Sequence, residues 1–266
     1  MSAWADQARM KSHTIGFVPT MGALHEGHLA LVKRAAAICD KVVVSIFVNP
    51  TQFGPGEDFD AYPRDLDGDL QKLAALRVDI VFAPTSAEMY QAGLTTVHVD
   101  ALTLPLCGAR RPGHFDGVLR VVLKLLNLVR PTRAYFGKKD AQQLYLIKNM
   151  VTTLFLPVEI IPCEIIREED GLALSSRNVY LSKEERVESL KLSKALKNAT
   201  SQVMRKELSS THIEAQMRET LSPLTVDYAC VLNRHFEPIE TVQIGNTMIL
   251  VAARLGNTRL IDNIWI

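Results

Sequence analysis

Short apolar runs rich in β-branched residues alternate with helical repeats from residue 15 to residue 166. That alternation limits the chain to a parallel α/β sheet. Residues 15–18, 41–48, 78–82, 133–136 and 158–166 read as buried strands. After the first of them the period changes: Leu29, Val32, Ala36 and Cys39 fall at helical spacing. The segments 65–76, 118–128 and 142–151 are the next helices, with Leu66, Leu70, Leu73 and Leu76 expected on one buried face. Residues 118–128 are apolar all round, so that helix is expected inside. Pro19 is expected to end the first strand, and the Pro- and Gly-rich stretch 49–63 to form a loop.

The pattern changes near residue 168, at the charged turn Arg167-Glu168-Glu169-Asp170-Gly171. Beyond it lie helices over 183–208 and 212–221, then strands over 226–232, 248–253 and 258–261. The expected organisation is a Rossmann-like parallel-sheet domain, 1–168, followed by a smaller α+β domain, 169–266, that closes over the site. Parallel sheets bind ligands in loops beyond the strand carboxyl ends. Three loops here follow strands: 19–28, 49–56 and 137–143.

Charge narrows the partners. The 30 basic and 29 acidic residues leave a net charge of +1, which gives no electrostatic case for nucleic acid or an acidic membrane. No apolar run approaches the ~18 residues that span a bilayer. Residues 1–14 lack the apolar segment of a secretory leader. The four cysteines, Cys39, Cys107, Cys163 and Cys230, form no CxxC pair and read as buried thiols of a reducing compartment. The expectation is a soluble cytoplasmic protein.

The loop 19–28 carries the chemistry: Pro19-Thr20-Met21-Gly22-Ala23-Leu24-His25-Glu26-Gly27-His28. A strand feeding a tight turn and a helix N-terminus makes an anion site, because backbone N–H groups and the helix dipole face the ligand. Two histidines there can donate to phosphate oxygens. A metal pair is the other reading, since residues three apart share a helix face. The segment is not HExxH and no third ligand follows at a recognisable spacing. Each histidine alone could also be an ordinary hydrogen-bonded residue.

PTMGALHEGHL at 19–29 is followed by SIFVNPTQF at 45–53, YPRDL at 62–66 and LCGARRPGHFDGV at 106–118. Then come FGKKD at 136–140 with Gln143, GLALSSRN at 171–178 and ARLGNTRLIDNI at 253–264. In this order the segments resemble the pantoate–β-alanine ligase (pantothenate synthetase) family, from about residue 15 to the C-terminus. HxGH alone is common to many adenylyl-transferring enzymes; the ordered set is more specific.

The resemblance implies ATP-dependent condensation of pantoate with β-alanine through a pantoyl adenylate, releasing diphosphate and AMP. It implies His28, His25, Lys139 and Arg177 as the catalytic set. ATP would be held by Met21, Gly22, Ala23, Leu24, His25, Glu26, Gly27 and His28. Gly137, Lys138, Lys139 and Asp140 would join them, with Gly137 and Asp140 at the ribose. Ile166, Leu174, Ser175, Ser176 and Arg177 complete the set, the first two near adenine. Gln52 and Gln143 would hold pantoate, with Gln52 also near β-alanine. Pro19, Met21 and Phe53 would supply an apolar wall, and Asn49 a phosphate or pantoate contact. Mg2+ is the expected ion, with Asp69 the candidate carboxylate; an exposed helix residue is the alternative for Asp69.

The resemblance also implies a homodimer, and a further ten or more residues with a first strand ahead of the segment at Gly16. The chain departs from the family pattern at Lys138, Ala141 and Arg120. Extra charge at Lys138 is expected to favour ATP, and an acid or interface is expected near Arg120. Two rival readings are a nucleotidyltransferase acting on a phosphate ester and a non-catalytic nucleotide-binding protein. The first explains HxGH but neither Gln52 nor Gln143.

Overall fold

The computed structural model describes residues 1–90 and 106–266. They form two compact units: Met1–Lys138 with Gln143–Glu164, and Lys139–Gln142 with Ile165–Ile266.

The first unit begins with helix α1 (Ser2–Met10), then strand β1 (Ile15–Thr20), α2 (Glu26–Ile38) and β2 (Lys41–Ile46). A short 3-10 turn, Pro50–Gln52, precedes α3 (Leu66–Ala74), β3 (Ile80–Phe82) and the one-turn α4 (Ser86–Met89). After it come α5 (Cys107–Arg110), α6 (His114–Val129), β4 (Arg133–Gly137), α7 (Ala141–Thr153) and β5 (Glu159–Cys163). The sheet order is β3-β2-β1-β4-β5, with every pair parallel. Strand order therefore reverses between β1 and β4, the place where such sheets take ligands. Phe17, Val18, Val43, Val44 and Tyr135 are fully buried, as strands covered on both faces require. Helix α6 buries Val118, Leu119, Val122, Leu125, Leu126 and Val129, as its apolar surface predicts.

In the second unit α8 (Lys183–Met204) and α9 (Ser210–Leu221) precede the antiparallel meander β6 (Thr225–Asn233), β7 (Thr247–Leu255) and β8 (Thr258–Trp265). Helix α8 opens on a capping box between Ser182 and Glu185, whose reciprocal bonds measure 3.1 and 2.9 Å. Its Leu192 and Leu196 pack with Ile213, Met217 and Leu221 of α9 against Ile249 and Val251 of the central strand.

Three local expectations are corrected. Strand β1 runs through Pro19 to Thr20. The Thr20 carbonyl faces β2, where it accepts Phe47 N–H at 3.1 Å, so Pro19 points its missing donor toward β4. Pairing with β4 has already stopped at Phe17, and no ladder bond is lost. On α3 it is Asp69 and Leu73 that are buried, whereas Leu66 and Leu70 are exposed. Residues Ser2–Met10, to which the sequence pattern assigns no element, form a helix that buries Ala5 and Ala8 and ties Asp6 to Arg130 at 2.7 Å.

Candidate active site

The turn after β1 is shaped by backbone conformation and by α3. Gly22 has φ +86°, a left-handed conformation that favours glycine. A Cβ there would meet Asp69 Oδ2 and Ile46 Cγ2, both at 3.1 Å. Asp69 Oδ1 accepts the Leu24 N–H at 2.7 Å, and Lys72 donates to the Leu24 carbonyl at 2.8 Å. One helix thus grips both backbone groups of Leu24. The Asp69 side chain is fully buried, which removes the exposed-residue alternative. Its Oδ2 has no hydrogen-bond partner. Among the described residues no group of three or more His, Cys, Asp or Glu could hold a metal. One unengaged carboxylate oxygen suits an ion that arrives on a nucleotide and keeps most of its own ligands, rather than one caged by protein.

His25 is the N-cap of α2 and His28 its third helical residue. His25 Nδ1 accepts Gly27 N–H at 3.2 Å, and His28 Nδ1 accepts His25 N–H at 3.4 Å. Their rings pack with centroids 4.0 Å apart. Because both Nδ1 atoms are acceptors, each neutral ring carries its proton on Nε2. The cap therefore fixes both histidines as Nε2–H donors at the positive end of a helix. The Glu26 carboxylate turns away to Lys33 at 3.2 Å, leaving its backbone as the part that can serve an anion.

Gln52 is buried and joins this turn: its Nε2 donates to Met21 Sδ at 3.1 Å. Asn49 Nδ2 donates to Gln52 Oε1 at 3.0 Å and to the Gly117 carbonyl at 3.1 Å. Tyr90 donates to Asn49 Oδ1 at 2.7 Å. This chain of bonds assigns the Gln52 amide, nitrogen toward Met21. Desolvation raises the Tyr90 pKa; the Thr51 hydroxyl and nearby Arg120 oppose it. Lys124 lies 5.1 Å from the Tyr90 ring centroid. Arg120 Nε itself is buried without a hydrogen-bond partner.

The RPGHF segment holds Gln52 from behind. His114 Nδ1 lies 2.8 Å from the Gln52 carbonyl and must donate to it, so His114 Nε2 is the acceptor for Arg111 at 2.9 Å. Arg111 forks onto Glu57 with two bonds of 2.6 Å. Burial pushes the Glu57 carboxyl up, but the bonds and charge of Arg111 outweigh it and hold its pKa at about 2. The clamp therefore stays ionised through the physiological range. Gly117 completes it: a Cβ there would fall on the Thr51 carbonyl and 2.7 Å from Gln52 Cα. Sequence reasoning passed over Gly117, Tyr90 and Glu57. Their signal is a three-dimensional approach of α6 to the 50–52 turn. Gln143 occupies the first turn of α7, half-buried.

In the second unit Lys139 donates through Nζ to the Leu174 carbonyl at 2.9 Å. Leu174 N–H in turn donates to the Ile166 carbonyl at 3.0 Å, so these two share a short backbone pairing. Ser175 caps a 3-10 turn, Ser176–Tyr180, by accepting Arg177 N–H at 3.3 Å. Asn178 closes the segment onto Glu168 at 2.8 Å and the Ala173 carbonyl at 3.2 Å. Desolvation lowers the Lys139 pKa below the usual lysine range; Asp140 and Asp262 oppose this, and Arg177 and Arg167 add to it. Lys138, by contrast, belongs to the first unit and pairs with Glu164.

A family model described as pantoate-beta-alanine ligase matches residues 1–265. The pantothenate synthetase of Campylobacter fetus is 53% identical over 254 residues, covering 95% of this chain and 93% of that relative. The crystal structure of pantothenate synthetase from Thermus thermophilus superposes with a TM-score of 0.91 at 45% identity, over 98% of this chain and 96% of that one. A pantoate–β-alanine ligase structure from Francisella tularensis, complexed with β-γ ATP and β-alanine, has a TM-score of 0.79 at 36% identity. That match covers 98% of this chain and 94% of the other.

Proposed function

The chain belongs to the pantoate–β-alanine ligase family, and from that premise we propose how its residues divide the work. It is a ligase that condenses pantoate with β-alanine to give pantothenate at the expense of ATP. In the proposed course a pantoate carboxylate oxygen bonds to the α-phosphorus. The bond to the bridging oxygen breaks, and diphosphate leaves with the electron pair. The β-alanine amine then attacks the acyl carbon, AMP departs, and the amine proton is released to solvent. The protein's task is to hold two anions in line and to neutralise charge on the phosphates.

His25 and His28 donate from Nε2 to phosphate oxygens, and the backbone of Met21 to His28 wraps the nucleotide. Lys139 is a point charge on the phosphates, and Arg177 adds a planar fork beside Ser175 and Ser176. Gly137 and Asp140 take the ribose, with Ile166 and Leu174 near adenine. Gln52 and Gln143 read pantoate through its hydroxyls, Gln52 lying also near β-alanine. Asp69 Oδ2 is the protein oxygen that would face a magnesium ion, which would supply further charge neutralisation. The cytoplasm suits the four free thiols, and no helix among the described residues is long and apolar enough to cross a membrane. The homodimer follows the family resemblance.

The observation that carries this reading is the Gln52 amide on Met21. It joins the pantoate-reading side chain to the turn that presents both histidines, within one compact unit. The test is exchange of labelled diphosphate into ATP with pantoate alone, and AMP release when β-alanine is added. Exchange without β-alanine is expected. A folded protein silent with all three substrates, or one that accepts a phosphate ester in place of pantoate, overturns the reading.

Gly117→Ala probes the support behind Gln52. The displaced 50–52 turn should cost about 1–3 kcal/mol in urea unfolding. It should also raise the KM for pantoate more than that for ATP. Equal KM changes would separate Gly117 from the pantoate subsite.

A further inference from the structure

We propose that Asn263 is a positioning residue for Lys139: from strand β8 its side-chain amide holds the backbone from which the lysine projects. Nδ2 donates to the Lys139 carbonyl at 2.7 Å, and Asn263 is 2% exposed. The amide cannot be inverted, because Trp265 Nε1–H donates to its Oδ1 at 2.9 Å and so assigns the nitrogen to the lysine side.

The neighbouring residue fixes the strand. Asp262 receives the Arg167 guanidinium through bonds of 2.6 and 2.9 Å, and accepts Asn263 N–H at 2.8 Å. Arg167 also donates to the Asn263 carbonyl at 3.3 Å and to the Gly171 carbonyl at 3.1 Å. Lys139 is thereby held at both ends, its carbonyl by Asn263 and its Nζ by Leu174. A lysine stem has many rotamers, and fixing base and tip beforehand lowers the ordering cost when an oxyanion arrives. The buried Asp262 carboxylate also favours the ammonium form that such a role needs. The IDN segment of the last strand, a family signature with no role attached in the sequence, thus acquires one.

The inference rests on Lys139 acting at the ATP phosphates, so Lys139→Ala is measured alongside. Asn263→Asp is isosteric and still accepts from Trp265, but it cannot donate to the Lys139 carbonyl. In the full chain, diphosphate exchange should slow about tenfold or more, with the KM for pantoate within about twofold of the unsubstituted enzyme. The thermal midpoint should stay within a few degrees. Normal exchange overturns the proposal. So does a rate loss matched by equal losses in pantoate affinity and thermal stability, which marks a structural role only. Should Asn263→Asp fail to fold, Trp265→Phe decides: it removes the indole N–H donor and leaves a smaller aromatic ring in its place. A kcat reduced about threefold supports positioning, and an unchanged kcat removes it. A slow Lys139→Ala with a normal Asn263→Asp sinks this inference alone; a normal Lys139→Ala sinks the role given to the lysine.

Discussion

Lys139→Ala slows pantoate-dependent diphosphate exchange by about 10²-fold or more, because it removes a preorganised charge from the phosphates. The size follows from environment. The ammonium is partly desolvated, and Asp140 and Asp262 favour it while Arg177 and Arg167 oppose it. In such surroundings a fixed charge acts on an oxyanion more strongly than in water. The direction of its pKa gives a pH signature. The active form is the cation and its pKa is lowered, so kcat/KM for ATP falls on the alkaline side before an ordinary lysine would deprotonate. A rate that holds level into the ordinary lysine range would remove Lys139 from this role. Stability runs the other way. A lysine pKa lowered by folding costs stability at neutral pH, and the cost disappears as pH rises past the unfolded lysine range. Lys139→Met should therefore lose activity while its melting temperature holds or rises.

His28→Ala slows the same exchange about 10²-fold, and it does two things at once. It removes an Nε2–H donor, and it removes the acceptor for His25 N–H. The second loss costs about 1 kcal/mol of helix capping and belongs to stability. His28→Glu separates the two, since Glu at this third position can still accept the cap N–H but has no donor. It should melt like the unsubstituted protein and still lose most of the rate. If His28→Glu restores exchange to near normal, the histidine acts through the helix cap and not through the phosphate. The two variants together tell donor from scaffold, which neither does alone.

Much of this was legible in the chain because strands buried on both faces leave continuous apolar runs, and the turns between them carry Pro and Gly. The order of the five strands in the sheet was not, since period says nothing about neighbours. Helix α3 shows where pattern reading inverts. Leu66 and Leu70 continue the leucine repeat yet lie exposed, whereas Asp69 is buried because the turn after β1 needs an acceptor for Leu24 N–H. A side chain recruited to satisfy a distant backbone group leaves no periodic trace. Gly117 has the same origin: its reason is the Thr51 carbonyl, 66 positions earlier in the sequence. The histidines, Lys139, Arg177 and the glutamines are proposed as site residues through family likeness; their tautomers, amide orientations and neighbouring partners needed the fold.

The grouping of Lys139–Gln142 with Ile165–Ile266 bears on recombination. A crossover placed at residue 165 between two relatives looks natural on the linear map, yet it would give Lys139 and the Asn263 that holds it different parents. The Leu174 carbonyl that receives Nζ would come from the second parent too. A viable chimera exchanges 139–142 along with the tail, as two separate inserts. Gene libraries built on single cuts should accordingly be poor in active members, and the active survivors should be those whose parents share the lysine's supporting partners.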